Sequence, residues 1–208
     1  MFDLTNLDIS KFPIVIYASP RTGCSIIGEI LSKKFKQLQY FNEPLGRDVD
    51  PTEFIKYAHR NKTYIVKTMA YDVFNSGVIQ GIRNQYPHIA DDLQFNSFKI
   101  RIRRRSLLDQ VTSNYIARSR DMWMYNVHTN PPELVEKFLK ETVPIDDNDI
   151  RQCIEIIKVR NHSVDNIPAK IDLDLWYEDF DRLTDPTIFK TPQPANYEEI
   201  KSKIKDHL

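Results

Sequence analysis

The sequence is poor in cysteine and glycine and has no excess of charge of either sign. It holds 2 cysteines and 5 glycines in 208 residues, and its 29 basic and 29 acidic residues give a formal net charge of zero. Two cysteines are too few for a disulfide framework, and Cys24 and Cys153 lack partners at zinc-ligand spacing. Without net charge, no global field draws the chain to nucleic acid or to an anionic membrane, so any anion site must be local.

The sequence also lacks a long apolar run. No segment approaches the roughly 20 apolar residues that span a bilayer, and the N-terminus has no basic stretch followed by an apolar core. We therefore expect a cytoplasmic protein whose partners include neither a membrane nor a nucleic acid. The length suits a single domain over residues 1–208, because one core of ordinary size accounts for it. The oligomeric state stays open.

Strand-like and helix-like segments alternate through the first half of the chain, in the order expected of βαβ units. Strands are predicted at 14–19, 38–41, 64–68, 98–103 and 171–175, and helices at 25–35, 51–59, 73–86, 106–118, 132–141, 147–164 and 197–204. The first strand, IVIYAS, is almost continuously apolar, which is typical of a strand covered on both faces. The pattern predicts an α/β fold of P-loop type, a three-layer α/β/α arrangement with a central parallel sheet.

A short loop, SPRTGCS over residues 19–25, follows the first predicted strand. Backbone N–H groups at a helix N-terminus favour an anion at such a position. Gly23 lets the backbone approach a ligand closely, Thr22 and Ser25 offer hydroxyl groups, and Arg21 supplies a rigid positive fork. An ATP-type P-loop would need an earlier glycine and a lysine after Gly23, and this loop has neither. The alternative is that the stretch only turns the chain.

Basic residues crowd the end of the fourth predicted strand: Lys99, Arg101, Arg103, Arg104 and Arg105. We interpret Lys99 and Arg101 as solvated or ion-paired side chains. Arg105 is singled out because Ser113 follows eight residues later, after roughly two turns of helix. An arginine and a serine at this spacing are common by chance, so the pair gains weight only together with the 19–25 loop.

The two features together resemble those of sulfotransferases, whose donor is 3′-phosphoadenosine 5′-phosphosulfate (PAPS). The 19–25 loop resembles the family's 5′-phosphosulfate-binding loop, with Cys24 as one departure, and the arginine with its serine resembles the 3′-phosphate-binding pair. The resemblance implies that Arg21 assists charge development on the bridging oxygen. It also implies that PAPS is bound by Arg21, Thr22, Gly23, Cys24, Ser25, Arg105 and Ser113. The stretch WYEDF at 176–180 resembles a segment near the end of sulfotransferase domains and is interpreted as structural.

Sulfuryl transfer requires a base for the acceptor hydroxyl and positive charge near the leaving oxygens. Lys67 lies on the third predicted strand, but Met69 stands where cytosolic mammalian-type sulfotransferases carry a histidine base, and methionine accepts no proton. Glu43, after the second predicted strand, is then the candidate base. Its Glu-Pro sequence and the Lys-x-Met strand resemble bacterial sulfotransferases of the trehalose-modifying type. The alternatives are a surface carboxylate or a partner of Arg21 for Glu43, and a structural cation for Lys67.

The resemblance thus implies a sulfotransferase that moves the sulfuryl group of PAPS to a hydroxyl of a small molecule, with carbohydrates among the acceptors considered and no metal required. Two other classes stay open. One is a P-loop small-molecule kinase or another nucleotide-binding phosphotransferase. This class would need a magnesium-binding carboxylate, and Asp72 is only a weak candidate for it. The other is a non-catalytic domain that grips nucleic acid through residues 101–105. The sequence has no Arg-Lys-Gly to close over the 3′-phosphate, and residues 122–132, expected to help set the acceptor, carry no motif.

Overall fold

The computed structural model describes residues 12–46, 49–75, 77–120, 131–182 and 193–208. The chain divides into two compact units. The first unit is Met1–Arg103 with Val159–Tyr177, and the second unit is Arg104–Lys158 with Glu178–Leu208. Each unit joins segments that are distant in the sequence. The single domain predicted for residues 1–208 stays a prediction.

The first unit is built on a five-stranded sheet in which all neighbouring strands are parallel. Its strands are β1 (Ile14–Ala18), β2 (Tyr40–Asn42), β3 (Ile65–Met69), β4 (Phe98–Arg103) and β5 (Leu173–Trp176), in the order β2-β3-β1-β4-β5. The central strand β1 is buried at every residue, which explains its unbroken apolar sequence. Because the strands are parallel, their carboxyl ends meet at one edge, where open α/β sheets bind ligands.

Helices of the first unit cover both faces of this sheet. Helix α1 (Cys24–Lys34) packs on the face that carries Lys67 and Tyr40, since Ser25 contacts Lys67 and Gly28 lies against Tyr40. The opposite face carries Val15, Tyr17 and Val66 and packs, in one apolar core, against α2 (Thr52–Arg60), α3 (Ala70–Phe74), α4 (Val78–Gln85) and α5 (Pro87–Gln94). The predicted α/β fold, three layers around a central parallel sheet, is confirmed.

The helix predicted over residues 73–86 is wrong in its bounds. The structure has α3 beginning at Ala70 and α4 beginning at Val78, with a break between them. In one continuous helix Val73 and Ile79 would point in directions roughly 120° apart, because each residue advances by about 100°. The break lets both side chains reach the core, where both are buried. Helix α5, which begins with Pro87 in its first turn, was not predicted.

The second unit is helical in its described part. It contains α6 (Leu107–Ser119), α7 (Pro132–Lys140), most of α8 (Asp147–Asp165), the 3₁₀ helix Tyr177–Arg182 from residue 178 on, and α9 (Tyr197–His207). Ser106 caps α6, because its hydroxyl accepts a hydrogen bond from the Asp109 N–H at 3.2 Å. The apolar core of this unit joins α6, α8 and α9 and includes Val111, Tyr115, Ile150, Ile154 and Ile200.

Arg101 is ion-paired as predicted, whereas Lys99, predicted to be solvated or ion-paired, is buried and hydrogen-bonded to the backbone. Lys99 Nζ donates to the carbonyl oxygens of Phe95 and Ser97 at 2.5 and 3.0 Å. Arg101 makes two hydrogen bonds with the carboxylate of Asp174 on β5, at 3.1 and 2.5 Å. In the ranges that the structure describes, no helix has both the length and the apolarity to cross a membrane. Residues 122–130 of the predicted acceptor segment lie outside those ranges.

Candidate functional site

The 19–25 loop joins β1 to α1 at the carboxyl edge of the sheet, where the sequence predicted it. Arg21 and Gly23 both have left-handed backbone conformations, with φ of 62° and 71°. Glycine adopts this conformation freely, whereas arginine adopts it at a cost of about 1 kcal/mol. Thr22 is fully buried, and its hydroxyl donates to the Ser19 carbonyl at 3.0 Å. The first turn of α1 contains no acidic residue.

Lys67 connects the loop to Glu43. Its side chain is only 3% exposed, and its Nζ donates to Ser25 Oγ at 3.2 Å and forms an ion pair with Glu43 Oε1. Glu43 follows β2, and its backbone N–H donates to the Lys67 carbonyl at 2.8 Å. Glu43 has a φ of 50°, and its side chain is 37% exposed. The structure therefore brings Glu43, Lys67 and Ser25 together, with the lysine buried and the other two partly exposed.

The charge of Lys67 is maintained by its neighbours. Burial lowers the pKa of Lys67, but Cys24 and Glu43 favour the charged form, and together they hold the pKa above its ordinary value. Cys24, at the start of α1, is buried. Tyr40 lies in the same group, because burial, Cys24, Glu29 and Glu43 raise the pKa of its hydroxyl. Lys67 is thus a protonated cation at neutral pH, next to both the loop and Glu43.

Helix α8 adds two residues that the sequence analysis missed. Ser19 Oγ, at the start of the loop, donates to Asn161 Oδ1 at 2.5 Å. Arg160 Nη1 lies 3.6 Å from Asp72 Oδ1 on α3. Burial raises the pKa of Asp72, and the positive charge of Arg160 only partly offsets this. One signal was available: Asn161 occupies the position four residues after buried Ile157 in the apolar stripe of α8, and a polar residue there indicates a hydrogen-bonding role.

Arg105 and Ser113, the predicted 3′-phosphate ligands, belong to the second unit. The Arg105 guanidinium makes two hydrogen bonds with the Asp179 carboxylate, at 3.0 and 2.8 Å, which raise the pKa of Arg105. Its backbone N–H donates to Glu178 at 2.9 Å. The 176–180 segment therefore holds this arginine through two acidic residues. Ser113 is half-buried on α6. That Arg105 and Ser113 act with the 19–25 loop on one donor stays a prediction.

Acidic residues, histidines and cysteines do not cluster in groups of three or more that could hold a metal ion, within the described part of the chain. Asp72, the weak magnesium ligand considered from the sequence, is the ion-pair partner of Arg160. The described geometry is thus a loop at the N-terminus of α1 with the Lys67–Glu43 ion pair beside it. No protein-family model, no curated protein and no solved structure matches this chain.

Proposed function

We propose that this protein is a PAPS-dependent sulfotransferase that transfers a sulfuryl group to a hydroxyl of a small molecule, with Glu43 as the general base. The observation that carries the proposal is the position of Lys67, whose ammonium group contacts both Ser25 of the 19–25 loop and the Glu43 carboxylate. A cation in this place links an anion site to a base, and sulfuryl transfer needs both.

The residues of the loop fit the anionic end of such a donor. Gly23 and the following N–H groups of α1 form a positive helix end, Ser25 adds a hydroxyl, and Arg21 adds a permanent charge. Cys24 fills the place of the usual hydroxyl residue and is buried against Lys67. The assignment of Arg105 and Ser113 to the 3′-phosphate rests on the resemblance of the motif and stays a prediction.

The proposed reaction assigns one role to each charged side chain. PAPS supplies the sulfuryl group and leaves as adenosine 3′,5′-bisphosphate. The Glu43 carboxylate takes the proton of the acceptor hydroxyl, and the acceptor oxygen forms a bond to sulfur. At the same time the bond between sulfur and the phosphate oxygen breaks, and its electron pair stays on the phosphate oxygen. Lys67 and Arg21 offset the negative charge that develops there. Glu43 suits this role because its side chain is partly exposed and an acceptor reaches it from solvent.

Binding is tested first, by thermal unfolding with adenosine 3′,5′-bisphosphate or with ATP and magnesium. A ligand present at about 100 times its dissociation constant adds roughly 2.7 kcal/mol of stability. We expect the bisphosphate to raise the melting temperature clearly and ATP much less. No shift with the bisphosphate would contradict the proposal, and magnesium-dependent ATP turnover would favour the kinase alternative.

Transfer is tested with labelled PAPS and a metabolite extract, because the acceptor is identified only as a hydroxyl compound. We expect a labelled product from the unaltered protein and almost none from Glu43→Gln, which should still bind the bisphosphate. Glu53→Gln is the matched control, since Glu53 is an exposed carboxylate on α2. Equal turnover by both variants would exclude Glu43 as the base.

Steeply salt-dependent binding of nucleic acid would instead support the non-catalytic alternative. The cytoplasmic location stays a prediction.

A further inference from the structure

One turn of α8 lies against the beginning of the 19–25 loop. The Ser19 hydroxyl donates a hydrogen bond to the Asn161 side chain. The Ser19 carbonyl oxygen accepts a hydrogen bond from the Thr22 hydroxyl. Arg160 precedes Asn161, so the helix turn that carries this guanidinium group is fixed to the first residue of the loop. All four residues belong to the first unit.

Arg160 has a loosely held counter-ion. Its Nη1 lies 3.6 Å from Asp72 Oδ1, which exceeds the length of a hydrogen bond, and its guanidinium carbon lies 5.2 Å from the centre of the Tyr71 ring. The two side chains are 27% and 15% exposed. By contrast, Arg83 and Asp91, between α4 and α5, lie 2.7 Å apart in a hydrogen-bonded pair. The Arg160 guanidinium therefore keeps donor capacity that a tighter pair would use.

Asp72 lies close to the same edge of the sheet. It is the third residue after Met69, the last residue of β3, and Met69 pairs in register with Ala18, which directly precedes the loop. Its electrostatic environment includes both Arg160 and Glu43. Two ion pairs, Lys67 with Glu43 and Arg160 with Asp72, therefore lie near this edge of the sheet.

We propose that Arg160 is a further ligand of the anion held by the 19–25 loop, and that Asp72 is its counter-ion while the loop is empty. On binding, the anion takes over the guanidinium group from Asp72. A multiply charged anion is a better partner than one half-buried carboxylate, because charge-assisted hydrogen bonds from arginine to phosphate or sulfate oxygens form in a two-pronged geometry. The inference rests on the anion site of the proposed function but not on sulfuryl transfer itself.

The test is calorimetric binding of adenosine 3′,5′-bisphosphate, and separately of inorganic sulfate, to the full chain and its variants. Arg160→Gln should weaken binding about tenfold or more, because a hydrogen bond to a charged group is worth about 1.5–3 kcal/mol. Asp72→Asn should tighten binding, because a competing internal anion is removed. The double variant should bind like Arg160→Gln alone. If Arg160 and Asp72 only supported the fold, the two single substitutions would not be expected to change the affinity in opposite directions.

Several outcomes overturn the inference. If Asp72→Asn weakens binding, or if Arg160→Gln leaves it unchanged, the pair is structural. Arg160→Lys, which keeps the charge but not the two-pronged geometry, should retain only part of the affinity, and thermal unfolding of each variant checks that it is folded. Arg83→Gln and Asp91→Asn are the matched controls and should leave binding unchanged. If the variants behave as expected but labelled PAPS gives no product, the inference stands and the proposed function fails. If the unaltered protein binds neither anion, both fail.

Discussion

Lys67 and Glu43 form an ion pair with unequal burial: the lysine side chain is 3% exposed and the glutamate side chain 37%. The cation is therefore surrounded by protein, while its carboxylate partner is still reached by water. A buried charge left without its partner is strongly destabilising, whereas removal of the whole pair is often nearly neutral. The two residues should accordingly respond differently to substitution, although the proposed function needs both.

Glu43→Gln should lower the free energy of unfolding by about 1–2 kcal/mol, less than for a fully buried pair because water reaches the vacated side. Lys67→Met should change it by less than about 1 kcal/mol, since it removes the buried charge together with its need for a partner. Urea unfolding measures both values. The double variant should recover most of the loss of Glu43→Gln, and a larger loss for Lys67→Met would contradict the assignment of the buried cation.

Gly28→Ala should destabilise the protein by about 1–3 kcal/mol, the range for overpacked sites. A Cβ atom at Gly28 would lie 2.3 Å from both Cζ and the hydroxyl oxygen of Tyr40, so α1 or this side chain must shift. Tyr40→Ala should remove the penalty, and in that background Gly28→Ala should be neutral or stabilising. The matched control is Gly81→Ala on α4, where a Cβ meets nothing within 4 Å and a gain of about 0.5–1 kcal/mol is expected.

The ion pair of Asp109 with Lys201, 2.7 Å apart between α6 and α9, should make stability depend on pH. Burial raises the pKa of Asp109, but hydrogen bonds with Lys201 and Ser106 and nearby positive charges lower it more, so the folded pKa lies below the ordinary 3.8. An acid whose pKa falls on folding stabilises the folded state above its unfolded pKa, and this contribution is lost as the pH falls through the folded pKa.

Asp109→Asn should therefore lower the free energy of unfolding at pH 7 by about 0.5–1 kcal/mol, as partly exposed pairs do. The difference from the unaltered protein should persist down to about pH 4 and disappear below it. Thermal unfolding from pH 7 to pH 2.5 measures it. Lys201→Met should show the same profile, and a difference that grew on acidification would show that the sign is wrong.

Arg105→Gln should weaken the binding of adenosine 3′,5′-bisphosphate about tenfold or more and leave the binding of 5′-AMP unchanged. The reason is that only the bisphosphate has the 3′-phosphate assigned to this arginine. Competition calorimetry compares the two ligands. Arg118→Gln is the control, since Arg118 is another arginine of the second unit and hydrogen-bonds with Gln152 at 3.0 Å. An equal loss of affinity for both ligands would contradict the assignment of Arg105 to the 3′-phosphate.

The sheet could be predicted because the central strand β1 is an apolar run buried on both faces and the other strands have short β-type patterns between helices. The predicted bounds of β4 are those of the structure, those of β1 differ by one residue at the C-terminal end, and those of β3 differ by one residue at each end. The helices after β3 were predicted less accurately than the strands. The residues that are buried between Ala70 and Gln94 would not all lie on one face of a single helix. Three short helices replace one long pattern there.

The candidate site could be predicted only where it lies close to a strand end. Glu43 follows β2, Lys67 lies on β3 and Ser25 lies in the first turn of the helix after β1, so parallel topology alone brings them near. Arg160 and Asn161 meet the loop from a helix, and 142 residues separate Asn161 from its partner Ser19. No local motif spans that distance, so the packing of α8 had to be seen before either residue could be assigned.

The left-handed backbone at Arg21 and Glu43 bears on how these positions would tolerate change. A screen that demanded only a folded chain would favour glycine, asparagine and aspartate at both, since these residues adopt positive φ most readily, and would reject valine or isoleucine. Neither arginine nor glutamate belongs to that set. Their presence at two turns, against local conformational preference, is what the proposed roles of Arg21 and Glu43 would require.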